Sequence, residues 1–335
     1  MTTANRTPVE FATMGFATPG LAVPAAQAAE RDGFDILLLA DSQCLRGDVY
    51  TQLALCGNAT STLKLATGVT NPITRHASVT AASIASIHAE TGGRAILGIG
   101  RGDSSVLHVG RKPAKMADYG EYCRQVQAYL RGEEVDQQGF PSRLRWLDQI
   151  DVDKVPVDMV GSGPKSLALA AAIADRVTLA VGADPERIEW GIRQVRRGAE
   201  KVSRSPDSIP VGAYINVAIG NDTAKAMESI KGSIATFAHF SASPGADFKN
   251  QPKVMRRVTE RLVTEYDTKH HTEGTAPHTQ YIDDSFVGWF GVVGSAEEVV
   301  DRLTPLLRLG LSYVYFVGTG REGLVKEVIP ALRAI

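Results

Sequence analysis

The sequence predicts an α/β protein of the (β/α)8 barrel class (a TIM barrel), with a long insertion between its seventh and eighth strands. Three observations carry this. Eight short Val/Ile/Leu-rich runs recur along the 335 residues. They do not alternate polar with apolar, as expected of strands covered on both faces of a parallel sheet. Segments with helical spacing lie between most of them, the repeat of an α/β architecture. Finally, the turns richest in glycine and polar side chains all follow the C-terminal ends of strands, the face on which barrels bind ligands. Eight such units in this length favour a closed barrel over an open doubly wound sheet.

The strands are read at residues 9–15, 35–40, 63–69, 95–100, 155–160, 176–181, 210–218 and 312–317. An Ala-rich helix follows at 21–32, with Gly33 where a C-terminal cap belongs. Residues 79–91 and 165–174 show the same spacing. Ser295-Ala-Glu-Glu298 has the pattern of a capping box and opens a helix that runs to Leu309. Two connections are long. Residues 102–154 hold a helix at 116–130 and a polar stretch at 132–148. The insertion, 221–311, holds helices at 224–240 and 252–269, then a Gly/Pro/His-rich stretch at 270–278. Residues 1–335 thus read as one domain, with the insertion forming part of a substrate pocket.

Composition removes several function classes. The net charge is −1, so no basic surface points to nucleic acid or an anionic membrane. Cys44, Cys56 and Cys123 are too scattered for a disulfide framework or a zinc site. Residues 1–10 lack the pattern of a signal peptide. No run approaches the roughly 20 apolar residues of a membrane span. A cytoplasmic location is expected. His270, His271 and Glu273 are metal-ligand types, but they sit in a loop without a fixed frame, and no metal site is expected there. His88, in a helix beside Glu90, reads as a packed or solvated histidine.

Four turns carry the chemistry. After the fifth strand, Gly161-Ser162-Gly163-Pro164-Lys165-Ser166 leads into a helix. Its glycines permit close backbone approach, Ser162 or Ser166 can cap, and the helix N-terminus offers free N–H groups to a phosphate. The plain alternative is an ordinary strand–helix turn. After the fourth strand, Gly98, Gly100, Arg101, Gly102, Asp103 and Ser104 place flexible backbone and two charges at one rim. An Arg–Asp pair closing a turn is the alternative there. At the end of the third strand, Gly68 inside an apolar run marks a bulge, and Thr70, Asn71 and His76 bring polar groups to the rim. His76 alone reads equally as a helix cap. After the second strand, Asp41 and Ser42 follow an apolar run, where a carboxylate is a site residue or a cap.

At these residues the chain resembles a known family. Thr67-Gly-Val-Thr-Asn-Pro-Ile-Thr-Arg-His76, Leu97-Gly-Ile-Gly-Arg-Gly-Asp-Ser104, Gly161-Ser-Gly-Pro-Lys165 and the segment 292–303 are similar to the bacterial-luciferase-like superfamily, and within it to the methylenetetrahydromethanopterin-reductase-like branch. The resemblance implies an oxidoreductase that uses the deazaflavin coenzyme F420, or alternatively FMN. It implies a cis peptide near Gly68-Val69, with Gly68, Val69 and Thr70 behind the ring of the cofactor, Asn71 as a polar contact in the cofactor site, and Gly100 to Ser104 beside the ring. Gly161 to Ser166, with Gly182 and Ala183, would receive the phosphate end. Asp41, Ser42 and His76 are the candidate catalytic residues, near the substrate or the ring. One departure stands out: some F420-dependent dehydrogenases of the superfamily carry Asp-His after the second strand, and here the pair is Asp41-Ser42.

Three functions follow as expectations. The first is hydride transfer between F420 and a small organic substrate. The second is an FMN-dependent monooxygenase fed by a separate flavin reductase. The third is a non-catalytic flavin-binding barrel. A homodimer is the family expectation.

Overall fold

The computed structural model describes residues 8–242 and 248–335. Residues 1–7, part of the stretch read for a signal, and residues 243–247 of the insertion lie outside the described residues. Eight strands lie where the sequence places them: β1 (Glu10–Phe16), β2 (Ile36–Ala40), β3 (Lys64–Thr67), β4 (Ala95–Ile99), β5 (Val157–Gly161), β6 (Arg176–Leu179), β7 (Val211–Ile219) and β8 (Tyr313–Thr319). The hydrogen-bonded order is β7-β8-β1-β2-β3-β4-β5-β6, and β6 also pairs with β7. This is the closed parallel order of a (β/α)8 barrel.

The chain forms two compact units. Ala12–Val160 and Leu169–Val177 make the first. Its ladders are parallel and in short register: Ala12 opposite Ile36, Leu37 opposite Leu65, Leu65 opposite Ala95, and Gly98 opposite Asp158. All five residues of β2 are buried, which explains why they run apolar without alternation. The helix Ala22–Arg31 ends where expected, with Gly33 at φ +79°. The polar stretch at 132–148 contains a small hairpin, Val135–Gln137 with Phe140–Ser142, that its composition did not reveal.

The N-terminal ends of β3 and β4 are pinned by two charged residues. The Arg94 guanidinium donates to the carbonyls of Gly57, Thr60, Leu63 and Thr91 and to the Thr60 hydroxyl. Glu30 Oε1 accepts the N–H groups of Ser61, Thr62 and Leu63 at 2.8, 2.6 and 3.0 Å. Burial opposes the Glu30 charge, but these donors outweigh it and pull the carboxyl down to about 2. A depressed folded-state pKa stabilises the fold above the unfolded value, and that contribution disappears as pH falls through the folded value. Glu30→Gln is therefore expected to lower the urea midpoint at neutral pH. The gap to the wild type is expected to narrow as the buffer is taken from about pH 5 towards about pH 2.

Of the described residues, 8–11, 161–168, 178–242 and 248–335 make the second unit. Its core is aromatic: Tyr313 and Tyr315 lie 4.9 Å apart, Tyr214 packs on Tyr315 and Phe237, and Phe11 stacks on Phe316. The insertion holds the helices Thr223–His239, Lys253–Glu265, Asp284–Phe290 and Ala296–Arg308. The capping box at Ser295 and Glu298 forms as its spacing predicts. Two details differ from the sequence reading. The helix expected to reach 269 stops at Glu265, because Tyr266 is extended and Asp267 opens a separate short turn. Val292–Gly294, which the sequence joins to the last helix, is a short strand parallel to β7. Three residues are too few for periodicity to show.

Candidate functional site

In the first unit the polar turns after β2 and β3 are joined through Asp41. Its carboxylate is only 2% exposed and accepts from Gln43 Nε2 at 2.6 Å, Thr70 Oγ1 at 2.7 Å and Arg75 NH1 at 2.6 Å. Arg75 also reaches Asp48 at 2.9 Å and lies over the Tyr50 ring, 4.9 Å from its centroid. Burial works against the Arg75 charge, but Asp41 and Asp48 more than offset it and hold its pKa above the ordinary value. Burial likewise raises the Tyr50 phenol, which stays protonated. With an arginine and two neutral donors on it, Asp41 is a holding group. Its hydrogen bonds fix Thr70 and Gln43.

Thr70 is the far end of the bulge. The Gly68-Val69 peptide is cis, at the position the family resemblance implies. Beyond it, Thr70 N–H donates to the Gly98 carbonyl at 2.9 Å, and the Thr70 carbonyl accepts from Gly100 N–H at 3.0 Å. The Thr67 hydroxyl binds the same Gly98 carbonyl at 2.7 Å. The bulge is thus bonded to the end of β4 by backbone, and to the end of β2 by side chains. Asn71, buried, accepts from the N–H groups of Ile73 and Thr74, which closes the next turn. Gly102, at φ +84°, lies against Val106 and Asn71 and starts the short helix Ser104–Leu107. Arg101 donates through Nε to the Ala114 carbonyl at 2.8 Å, so part of its fork is used in holding its own loop.

Ser42 is half-buried, and its carbonyl accepts from the N–H groups of Leu45 and Arg46. His76 is exposed and caps the helix Ala77–Glu90, its Nδ1 meeting Ser78 N–H at 3.3 Å and the Ser78 hydroxyl at 2.8 Å. The residue before it, Arg75, makes the contact with Asp41. His88, read as packed or solvated, is 2% exposed and packed, with Nδ1 against the Ala95 backbone.

In the second unit, β5 runs through Gly161 and the following helix begins at Pro164. Gly161 has no room for a side chain, since a Cβ would meet Leu167 at 2.8 Å. Gly163 faces open space, with only Ser166 Oγ near, at 4.0 Å. Ser166 Oγ accepts Gly163 N–H and donates back to the Gly163 carbonyl. Ser162 Oγ donates to the Phe240 carbonyl at 3.0 Å, tying the turn to the end of the helix Thr223–His239. The first-turn N–H groups of a ten-residue helix thus stand beside an unfilled glycine, an arrangement that suits an oxyanion. After β6, Gly182 takes φ +85° under the Phe290 ring, and Ala183 N–H donates to the Phe290 carbonyl at 2.7 Å. His270 pairs with Asp267, and His271 Nδ1 meets the Tyr266 hydroxyl. No cluster of three or more metal-ligating side chains occurs among the described residues.

Sequence reasoning singled out the glycines, Asp41 and Thr70 but missed Gln43, Arg75 and Tyr50. Arg75 stands inside the 67–76 motif, and an arginine at the end of the strand next to the one that carries Asp41 was the available signal.

Comparison with known proteins agrees with this framework. The model of the luciferase-like monooxygenase family matches residues 3–313. A 5,10-methylenetetrahydromethanopterin reductase of Methanolobus tindarius is 29% identical over 318 residues, 90% of this chain and 92% of its own. An F420-dependent glucose-6-phosphate dehydrogenase of Nakamurella multipartita is 25% identical over 332 residues, 92% of this chain and 91% of its own. Among solved structures, the coenzyme F420-dependent tetrahydromethanopterin reductase of Methanopyrus kandleri superposes with a TM-score of 0.74 at 24% identity, covering 97% of this chain and 99% of that one. A (β/α)8 barrel with a bonded bulge after β3 and a family match over nearly its whole length, this chain belongs to the luciferase-like monooxygenase family.

Proposed function

We propose that this protein is an F420-dependent oxidoreductase that moves a hydride between the deazaflavin and a small organic substrate. The observation that carries it is the bulge at Gly68–Asn71, held on one side by Gly98 and on the other by Asp41 and Arg75. The similarity to F420-dependent reductases and dehydrogenases over nine-tenths of the chain supports the choice of cofactor. When bound, the deazaflavin supplies a carbon that gives or takes a hydride.

The chain's own residues supply position. Gly68, Val69, Thr70 and Asn71 offer a flat, tightly bonded backing, and Gly100 to Ser104 flank it. Gly161 to Ser166 receive a phosphate on helix N–H groups, and Gly182 and Ala183 serve the same end. Asp41 positions Thr70 through a hydrogen bond. Ser42, whose side chain makes no hydrogen bond among the described residues, is the hydroxyl left to meet a substrate. His76 holds the helix that carries Arg75's neighbours. No helix among the described residues is long and apolar enough to cross a membrane. A cytoplasmic homodimer, supplied with reduced cofactor by a separate F420 reductase where it works as a reductase, completes the proposal.

The test is a difference-spectrum titration of the apoprotein with F420 and with FMN. Saturable binding of F420 and none of FMN is expected. Tight FMN binding without F420 binding sinks this reading and leaves the monooxygenase. Gly163→Asp puts a carboxylate beside the helix N-terminus where the phosphate would sit. It is expected to weaken F420 binding about tenfold or more, roughly 1.4 kcal/mol, without loss of stability, since the glycine faces open space.

A further inference from the structure

The second unit contains a buried guanidinium that forms no ion pair among the described residues. The helix Pro185–Glu200 starts directly after the turn at the end of β6, with Asp184 as its N-cap. Arg187, in its first turn, is only 6% exposed. Its backbone N–H is taken by Asp184 Oδ1 at 3.0 Å. Its guanidinium lies over the Trp190 ring, 3.9 Å from the centroid. Among the described residues that guanidinium makes no hydrogen bond and no ion pair, and its Nε is shut off from solvent without a partner.

A buried charge without a counter-charge is strongly unfavourable, and folds retain one where it has work to do. A methionine would pack on Trp190 at no such penalty. Asp184 is the carboxylate whose charge the guanidinium feels, but one of its oxygens is committed to the helix cap, and the two form no ion pair among the described residues. Burial lowers the Arg187 pKa to about 10, and Asp184 offsets this only in part. Arg302 adds a second half-buried guanidinium that also feels Asp184, with NH2 on the Gly288 carbonyl at 2.8 Å. The positive end of a sixteen-residue helix points the same way.

We propose that Arg187 is the receptor for an oxyanion, a phosphate or carboxylate of a bound ligand, gripped by its fork against the face of Trp190. Arginine matches either group with two parallel N–H donors, and the indole behind it fixes the plane of the fork. Two sources carry that chemistry: the phosphate and acidic tail of the cofactor, or an anionic group on the substrate. The cofactor source rests on the function proposed above, whereas the oxyanion site itself does not.

The experiment compares the wild type with Arg187→Met, using inorganic phosphate, F420, and the deazaflavin fragment that lacks both phosphate and glutamates. Phosphate is expected to raise the wild-type Tm and to change the emission of Trp190, assigned by a Trp190→Phe control. Arg187→Met is expected to melt no lower than the wild type without phosphate and to lose both responses. A tenfold or greater loss of F420 affinity, with fragment affinity within about twofold, assigns the anion to the cofactor. Unchanged affinity for both, with the phosphate response lost, assigns it to the substrate. A phosphate response as large in Arg187→Met as in the wild type overturns the proposal. If that variant does not fold, Arg187→Lys keeps the charge and loses the fork, and an undiminished phosphate response in it overturns the proposal equally. A wild type that binds neither deazaflavin defeats the cofactor reading alone, because the phosphate arm still decides Arg187.

Discussion

Replacing Arg75 by methionine is expected to destabilise the protein by about 3–5 kcal/mol, the range for removing one partner of a buried ion pair. The reason lies in what remains. Asp41 is 2% exposed on its side chain, and without Arg75 it keeps only the Thr70 hydroxyl and the Gln43 amide. Two neutral donors do not replace a cation in a site closed to water. The loss also releases Asp48, but that carboxylate is half-exposed and water takes over most of what the guanidinium did. Asp41→Asn in the same chain removes the stranded charge. The double variant is therefore expected to regain most of the stability, with a coupling between the two positions at the upper end of about 0.5–3 kcal/mol. Urea unfolding of the wild type, both single variants and the double variant checks this. Additive losses would mean that Arg75 serves Tyr50 and Asp48 rather than Asp41. Cofactor affinity should track the same cycle, because Thr70 is held by the carboxylate that Arg75 neutralises.

The fold was legible because its signals are local. Strand runs such as Ile36–Ala40 are buried on both faces and spell this out in five consecutive apolar residues. The turn glycine Gly102 was legible for the same reason, since its positive φ is a demand made by the backbone itself, whereas Gly182 came only from the family resemblance. What stayed hidden depends on partners distant in sequence. Asp41 read as a site residue or a cap, and only the pairing of β2 with β3 brings Arg75 to it across 34 residues. Arg187 sits in a helix with many charged residues, where an arginine reads as solvated. Only packing on Trp190 and the fold around it buries the group. The Val135–Gln137 and Phe140–Ser142 hairpin and the Val292–Gly294 strand stayed hidden because three-residue strands carry no periodicity.

Gly98→Ala is expected to be the most damaging single methyl group in the candidate site. A Cβ at residue 98 would stand 2.1 Å from the Thr67 carbonyl oxygen and 3.3 Å from its carbon. The obstacle is backbone, so no rotamer change relieves it. Either β3 and β4 separate locally or the bulge moves. Both routes break bonds that converge on this residue, since the Gly98 carbonyl accepts from Thr70 N–H at 2.9 Å and from the Thr67 hydroxyl at 2.7 Å. Overpacking alone costs about 1–3 kcal/mol. Loss of the two hydrogen bonds adds about 1 kcal/mol each. The effect on the proposed ring backing should exceed the effect on stability, because Gly68 to Asn71 hang from those bonds. Gly100→Ala, two residues on, is the matched control. Its Cβ would meet only Val69 Cγ2, at 3.1 Å, a methyl group that can yield. Thermal melts and F420 titrations of the two variants should therefore diverge. Gly98→Ala should lose several degrees of Tm and at least tenfold in affinity, whereas Gly100→Ala stays near the wild type in Tm. Equal, small effects at both positions would show that the bulge is not held by β4, and that Gly68 to Asn71 are no fixed backing for a ring.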